Sequence, residues 1–148
     1  MSQDAARAGW MSLMAKAPAA AVARLWPALG EEPAFDWLRA PEIGSIMVRG
    51  RAGAVGAPFN LGEMTVTRCA LQLSDGTVGH GYVQGRDKEK ARRAALVDAL
   101  MQTGAAGKIR TALLTPLEAE MAEARRTRAA KAASTKVDFF TMVRGENG

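Results

Sequence analysis

The sequence predicts an α+β domain: an antiparallel sheet of about four strands around a central hairpin, flanked by N-terminal and C-terminal helices and followed by an extended C-terminal tail. Three observations carry this reading. Asp75-Gly76 separates two strand-like runs, Glu63 to Ser74 and Thr77 to Gly85, and this pair favours a tight hairpin turn. Apolar residues recur at helical spacing on both sides of those runs. Two of the four phenylalanines, Phe139 and Phe140, stand side by side in the short apolar stretch Val137 to Arg144.

With 148 residues the chain is about one domain long. A hydrophobic fraction of 48% excludes a wholly disordered chain, and an aromatic fraction of 5% leaves the core to Ala, Leu, Val and Met. The formal charge of +5 is compatible with an anionic partner but says nothing about fold. With one cysteine, Cys69, and one histidine, His80, neither an intrachain disulfide nor a conventional all-protein zinc site can form. The Ala-rich stretch near the N-terminus is broken by Pro18 and Arg24, unlike a signal peptide, and no run reaches the roughly 18 apolar residues of a membrane span. The expected compartment is the cytoplasm.

Taken in order, Ala6, Trp10, Leu13, Met14 and Ala17 share one helical face that Pro18 ends, and Val22, Leu25, Trp26 and Leu29 repeat the spacing in a second short helix. Phe35 to Arg39 and Ile43 to Arg49 read as two strands around Ala40, Pro41 and Glu42. Gly50 to Gly62, rich in glycine, reads as a long surface connection. In the hairpin, a two-residue turn pairs Leu73 with Val78, Leu71 with His80 and Cys69 with Tyr82 on one face. The other face sets Gln72 against Gly79 and Ala70 against Gly81, and such glycines mark a place where a helix or a partner chain approaches closely. Asp87 is the expected N-cap of a helix reaching about Thr103, with Ala94, Val97, Leu100 and Met101 buried. Thr115-Pro116-Leu117-Glu118 has the form of a capping box opening the last helix, whose thin seam is Leu117, Met121 and several alanines. The predicted organisation is one domain over residues 1–136, with helices over 4–29, the sheet over 35–85 and helices over 87–133, followed by a partner-docking tail over 137–148.

Few motifs carry chemistry. The glycine-rich stretch before Pro58 lacks both phosphate-loop spacings, so a flexible connection is the simpler reading. The expected register puts Cys69 and His80 diagonally on one face, about 7–8 Å apart, among apolar neighbours that favour a buried thiol over a nucleophile. Arg49, Arg51, Arg68, Arg86, Lys88, Lys90, Arg92 and Arg93 form either a solvated basic surface or an anion site, with Arg86 and Lys88 beside a helix start. The candidate partner or anion-binding residues are therefore Gln84, Gly85, Arg86, Asp87, Lys88 and Arg68. The tail Val137, Asp138, Phe139, Phe140, Thr141, Met142, Val143, Arg144 and Gly145 needs cover, supplied by its own domain or by a neighbouring chain. No catalytic or metal-binding residue is assigned.

Val83-Gln84-Gly85-Arg86-Asp87-Lys88, leading into Ala94-Ala95-Leu96-Val97-Asp98-Ala99-Leu100-Met101, together with the tail Val137 to Gly145, resembles the PhnG subunit of the bacterial carbon-phosphorus lyase core complex. The likeness extends in order to Gly9-Trp10-Met11-Ser12, Arg39-Ala40 with Glu42 and Gly44, Thr67-Arg68 with Ala70, and Asp75-Gly76-Thr77. The resemblance implies a two-fold hetero-oligomer with PhnH, PhnI and PhnJ subunits, joined by the ATP-binding-cassette-like PhnK and PhnL. It implies a supporting role in forming α-D-ribose 1-methylphosphonate 5-triphosphate from MgATP and methylphosphonate, with release of adenine. The nucleosidase step would belong to PhnI, and the iron-sulfur cluster and S-adenosylmethionine to PhnJ, so this chain would hold no cofactor and be structural rather than catalytic. A basic nucleic-acid-binding module and a stand-alone nucleotide hydrolase are the alternatives.

Overall fold

The sheet has three antiparallel strands in the order β1-β2-β3, with β1 spanning Phe35–Arg51, β2 Pro58–Leu73 and β3 Val78–Gln84. The computed structural model describes the backbone of residues 3–51 and 58–147 and the side chains of residues 4–48 and 62–135. The fourth expected strand is absent because the two runs around Pro41 form one bulged strand. Arg39 pairs with Ala70 and Glu42 with Arg68, so Ala40 and Pro41 together oppose a single residue of β2. A proline cannot donate to a ladder, and β1 is an edge strand where a bulge accommodates it. The expected long connection is shorter too, since pairing continues as far as Arg51 opposite Pro58.

The hairpin forms where expected, but its turn is one residue longer. Gly76 N–H donates to the Leu73 carbonyl at 2.9 Å, and Leu73 N–H donates to the Thr77 carbonyl at 2.8 Å. Of the residues in this turn only Gly76 has a positive φ, 92°, so Asp75 never adopts the left-handed conformation that a two-residue turn would require. Asp75 instead accepts a hydrogen bond from Thr77 N–H at 2.9 Å. The longer turn slips the register by one, giving Ala70 opposite His80 and Cys69 opposite Gly81. A one-residue slip exchanges the two faces of a strand, so His80 and Cys69 lie on opposite sides of the sheet.

Gly79 and Gly81 thereby join Leu71, Leu73 and Cys69 on the face that α3, Lys88–Leu100, covers. The expected close approach is to this helix. A Cβ at Gly79 would stand 2.1 Å from the Ala95 carbonyl oxygen, and one at Gly81 would stand 2.2 Å from that of Ala91. Alanine on the helix and glycine on the strand bring the two backbones together, which is how a core poor in aromatic residues reaches tight packing. The expected N-cap is present, with Asp87 accepting from Lys90 N–H at 3.0 Å.

At the N-terminus α1, Gln3–Lys16, α2, Ala19–Leu25, and a 3₁₀ turn, Trp26–Leu29, bury Trp10, Met14, Ala17, Val22, Trp26 and Leu29, as their spacing predicts. The C-terminal region departs from expectation. The short helix α4, Ala106–Ile109, passes through a π-helical turn, Arg110–Leu114, into α5, Thr115–Asn147. Thr115 has helical dihedrals, φ −63° and ψ −46°, and is not the expected N-cap. Pro116 lacks an N–H and crowds the preceding turn, and the widened π turn lies immediately before it. Ile109, Leu113, Leu114 and Leu117 make the buried seam. The expected extended tail is corrected as well, for α5 continues as helix through Val137 to Arg144, whose side chains lie outside the described residues.

Candidate functional site

The β3–α3 junction is rigid and exposed. Gln84 ends β3 opposite Val66, and Gly85 turns the chain with φ 95° while its N–H donates to the Thr65 carbonyl at 2.8 Å. Thr67, fully buried, donates its hydroxyl to the Gly85 carbonyl at 2.8 Å. Two strand residues thus anchor the glycine, and Asp87 fixes the start of α3. Gln84, Gly85, Arg86, Asp87 and Lys88 are all exposed on this frame. Arg68 pairs with Tyr82 and stands with Gln84 on the sheet face turned away from α3.

Among the described residues of the expected basic cluster, Lys90, Arg92 and Arg93 are engaged within the fold. Arg92 reaches Glu32 with two bonds, of 2.7 and 3.0 Å, and also binds Glu89. The Glu89 and Glu32 hydrogen bonds hold the Arg92 guanidinium above its usual pKa, and the Arg92 bonds keep both carboxyls below theirs. Arg93 pairs with Glu89 and lies over the Trp26 ring, 5.5 Å from its centroid. Lys90 is buried and its ammonium caps the end of α1 through the Ala15 carbonyl at 3.2 Å, while burial lowers its pKa. Arg68, Arg86 and Lys88 have no carboxylate partner among the described residues. The side chains of Arg49 and Arg51 lie outside the described residues.

Cys69 is buried, donates its thiol to the Ala91 carbonyl at 3.3 Å, and has its pKa pushed up to about 11 by burial. A thiol so placed stays protonated at neutral pH and is a poor nucleophile. His80 cannot activate it from the opposite face. Among the described residues no group of three His, Cys, Asp or Glu side chains is arranged to hold a metal ion.

Sequence reasoning missed Asp98. Its carboxylate is fully buried in α3 and accepts from Arg7 Nε at 3.0 Å, Arg7 Nη2 at 2.8 Å, Trp10 Nε1 at 2.9 Å and the His80 backbone N–H at 2.8 Å. One side chain thus fastens α1 to α3 and occupies a backbone donor of the β3 edge, where an unpaired strand would otherwise be open to association. The Asp98 hydrogen bonds also raise the Arg7 pKa. The available signal was its position four residues after Ala94, on the apolar stripe of α3, where a charge is buried only when paired.

Two regions lie beyond this body. β3 ends at Gln84, so the β1–β2 ladder past Thr65 is a two-stranded arm. Near its base and along it, Ile43 and Met47 are exposed at 43% and 48%, and Ile46 is exposed on the opposite face. Every residue of α5 from Glu123 to Thr135 is also exposed. No helix among the described residues is long and apolar enough to cross a membrane.

The family model of the phosphonate metabolism protein PhnG matches residues 5–145. The chain is 45% identical over 137 residues to the α-D-ribose 1-methylphosphonate 5-triphosphate synthase subunit PhnG of Rhizobium meliloti (strain 1021), covering 93% of this chain and 88% of that protein. The match takes in the hairpin, the β3–α3 junction, the helix that carries Asp98, and α5 almost to its end. A body organised around Asp98, the bare arm and the long terminal helix are thus the architecture of a chain that belongs to the PhnG family.

Proposed function

We propose that this chain is a non-catalytic subunit of a cytoplasmic transferase assembly that makes α-D-ribose 1-methylphosphonate 5-triphosphate from MgATP and methylphosphonate, releasing adenine. Its partners in this reading are PhnH, PhnI and PhnJ subunits in a two-fold hetero-oligomer, with PhnK and PhnL joining them. MgATP is the assembly's substrate, and the iron-sulfur cluster and S-adenosylmethionine belong to a partner. The observation that carries the proposal is the uncovered arm. An isolated two-stranded ribbon is at best marginally stable in water, and one with apolar side chains exposed on both faces gains its burial from another polypeptide. The segment Val137 to Gly145 is the second docking element, now presented on a helix. The exposed junction Gln84 to Lys88 is the third.

Co-expression with the PhnH, PhnI and PhnJ subunits tests the assembly role. The chain is expected to co-elute with them, and the Phe139→Asp, Phe140→Asp double variant to be lost from the complex while its sheet and α3 remain folded by circular dichroism. The chain alone is expected to release no adenine from MgATP. Intact assembly of the double variant would refute the docking role of the terminal helix, and adenine release by the isolated chain would refute a non-catalytic subunit.

A further inference from the structure

On the sheet face turned away from α3 lies a cleft of about 690 Å³ that crosses all three strands. Ala70 forms its floor, flanked in register by Arg39 on β1 and His80 on β3. Arg68 and Tyr82, paired with each other further along the strands, line the same cleft, and Leu38 and Met11 supply apolar walls. A methyl group surrounded by four long polar side chains leaves a hollow with donors at its rim. Diagonal neighbours on adjacent strands stand about 7–8 Å apart, so the Arg39 and Arg68 side chains can reach one oxyanion.

These donors have not been spent elsewhere. Among the described residues, the side chains of Arg39, Arg68, His80 and Tyr82 have neither a hydrogen-bond nor an ion-pair partner, whereas Arg7, Arg24, Arg92, Arg93 and Arg126 are each paired with a carboxylate. Glu42, opposite Arg68, lines an adjoining concavity that Arg68 and Tyr82 also border, and it makes no ion pair with Arg68. We propose that the cleft binds a phosphate-bearing small anion, with Arg39 and Arg68 on its oxygens, His80 and Tyr82 donating N–H and O–H, and an apolar portion against Leu38 and Met11. Two guanidinium forks, an imidazole and a phenol offer more donors than one carboxylate accepts, and the concave shape suits a compact polyanion. This site is separate from the docking surfaces and does not rest on the assembly role.

Isothermal titration of the full chain with inorganic tripolyphosphate tests the site. One saturable site is expected, weakened about tenfold by Arg39→Gln and by Arg68→Gln and less by Tyr82→Phe, at unchanged melting midpoints. Arg126→Gln on α5 should leave it unchanged. Absence of binding, equal weakening by Arg126→Gln, or preference for a Glu-rich peptide over tripolyphosphate would overturn the proposal. Co-purification with partner subunits should survive both arginine substitutions. Its loss would place them in a protein interface and refute the anion site while leaving the assembly role standing.

Discussion

Helices α3 and α5 are both rich in alanine and in basic residues, and have opposite fates. In α3 eight of thirteen residues are buried, because Gly79 and Gly81 on the sheet make room for the Ala91 and Ala95 backbone. In α5 the alanines after Met121 meet no comparable surface, and Glu123 to Thr135 are all exposed. The same contrast divides the sheet, whose part next to β3 is covered by a helix on one face while the described residues of the arm beyond Thr65 expose apolar side chains on both. An alanine-rich helix gains little from its own side chains, so burial here is decided by the shape of the opposing surface rather than by the hydrophobicity of the segment.

Substitutions in the body should separate it sharply from the arm. The largest effect is expected for Asp98→Ala, which leaves the Trp10 indole N–H and the His80 amide without an acceptor and Arg7 without its counter-ion. Arg7, 35% exposed, is resolvated, but an unsatisfied buried donor costs about 1–3 kcal/mol, so the loss is about 2–4 kcal/mol, or roughly 5–15 °C in melting midpoint for a chain of this size. Scanning calorimetry would read it, and a shift of only a degree or two would mean that α1 is held by apolar packing alone. Next comes Gly79→Ala, where the added methyl meets the Ala95 carbonyl oxygen at 2.1 Å and forces strand or helix to move, at about 1–3 kcal/mol. A neutral result in urea titration would contradict the close packing of strand and helix.

A smaller effect concerns pH. Hydrogen bonds from Arg92 hold the Glu32 and Glu89 carboxyls below their ordinary value of 4.5, so the folded chain binds fewer protons than the unfolded one in the acid range. Their stabilisation is therefore fully present above about pH 4.5 and is lost as pH falls through the lowered values. Both carboxylates are partly exposed, and solvent screening keeps the contribution below about 1 kcal/mol. Arg92→Gln should flatten the acid side of the melting profile, and an unchanged slope between pH 5 and pH 3 would show that the pairs contribute nothing.

What the sequence disclosed follows from how local each signal is. Helical spacing located Trp10, Met14, Val22 and Leu29, and Asp87 announced α3, because periodicity and capping act within a few residues. The turn at Asp75-Gly76 was visible, but whether it holds two or three residues depends on the φ of Asp75, and that one choice reassigned His80 and Tyr82 to the face opposite Cys69. Pro41 looked like a strand break because its lack of an N–H is local, while the bulge that absorbs it depends on β2. At Thr115 the capping-box spelling was overridden by helix already running through Arg110–Leu114. Asp98 was missed, since its partners lie on α1 and β3, and so was the diagonal placement of Arg39 and Arg68 on either side of Ala70.

Amide hydrogen exchange on the isolated chain and on the assembled complex would distinguish the self-sufficient body from the elements that partners cover. Helix α3 and strand β3 are expected to be protected in both states, while amides of the β1–β2 arm at residues 45–48 and of α5 beyond Glu123 exchange rapidly alone and become protected on assembly. Strong protection of the arm in the isolated chain, or exchange unaltered by the partners, would contradict that distinction.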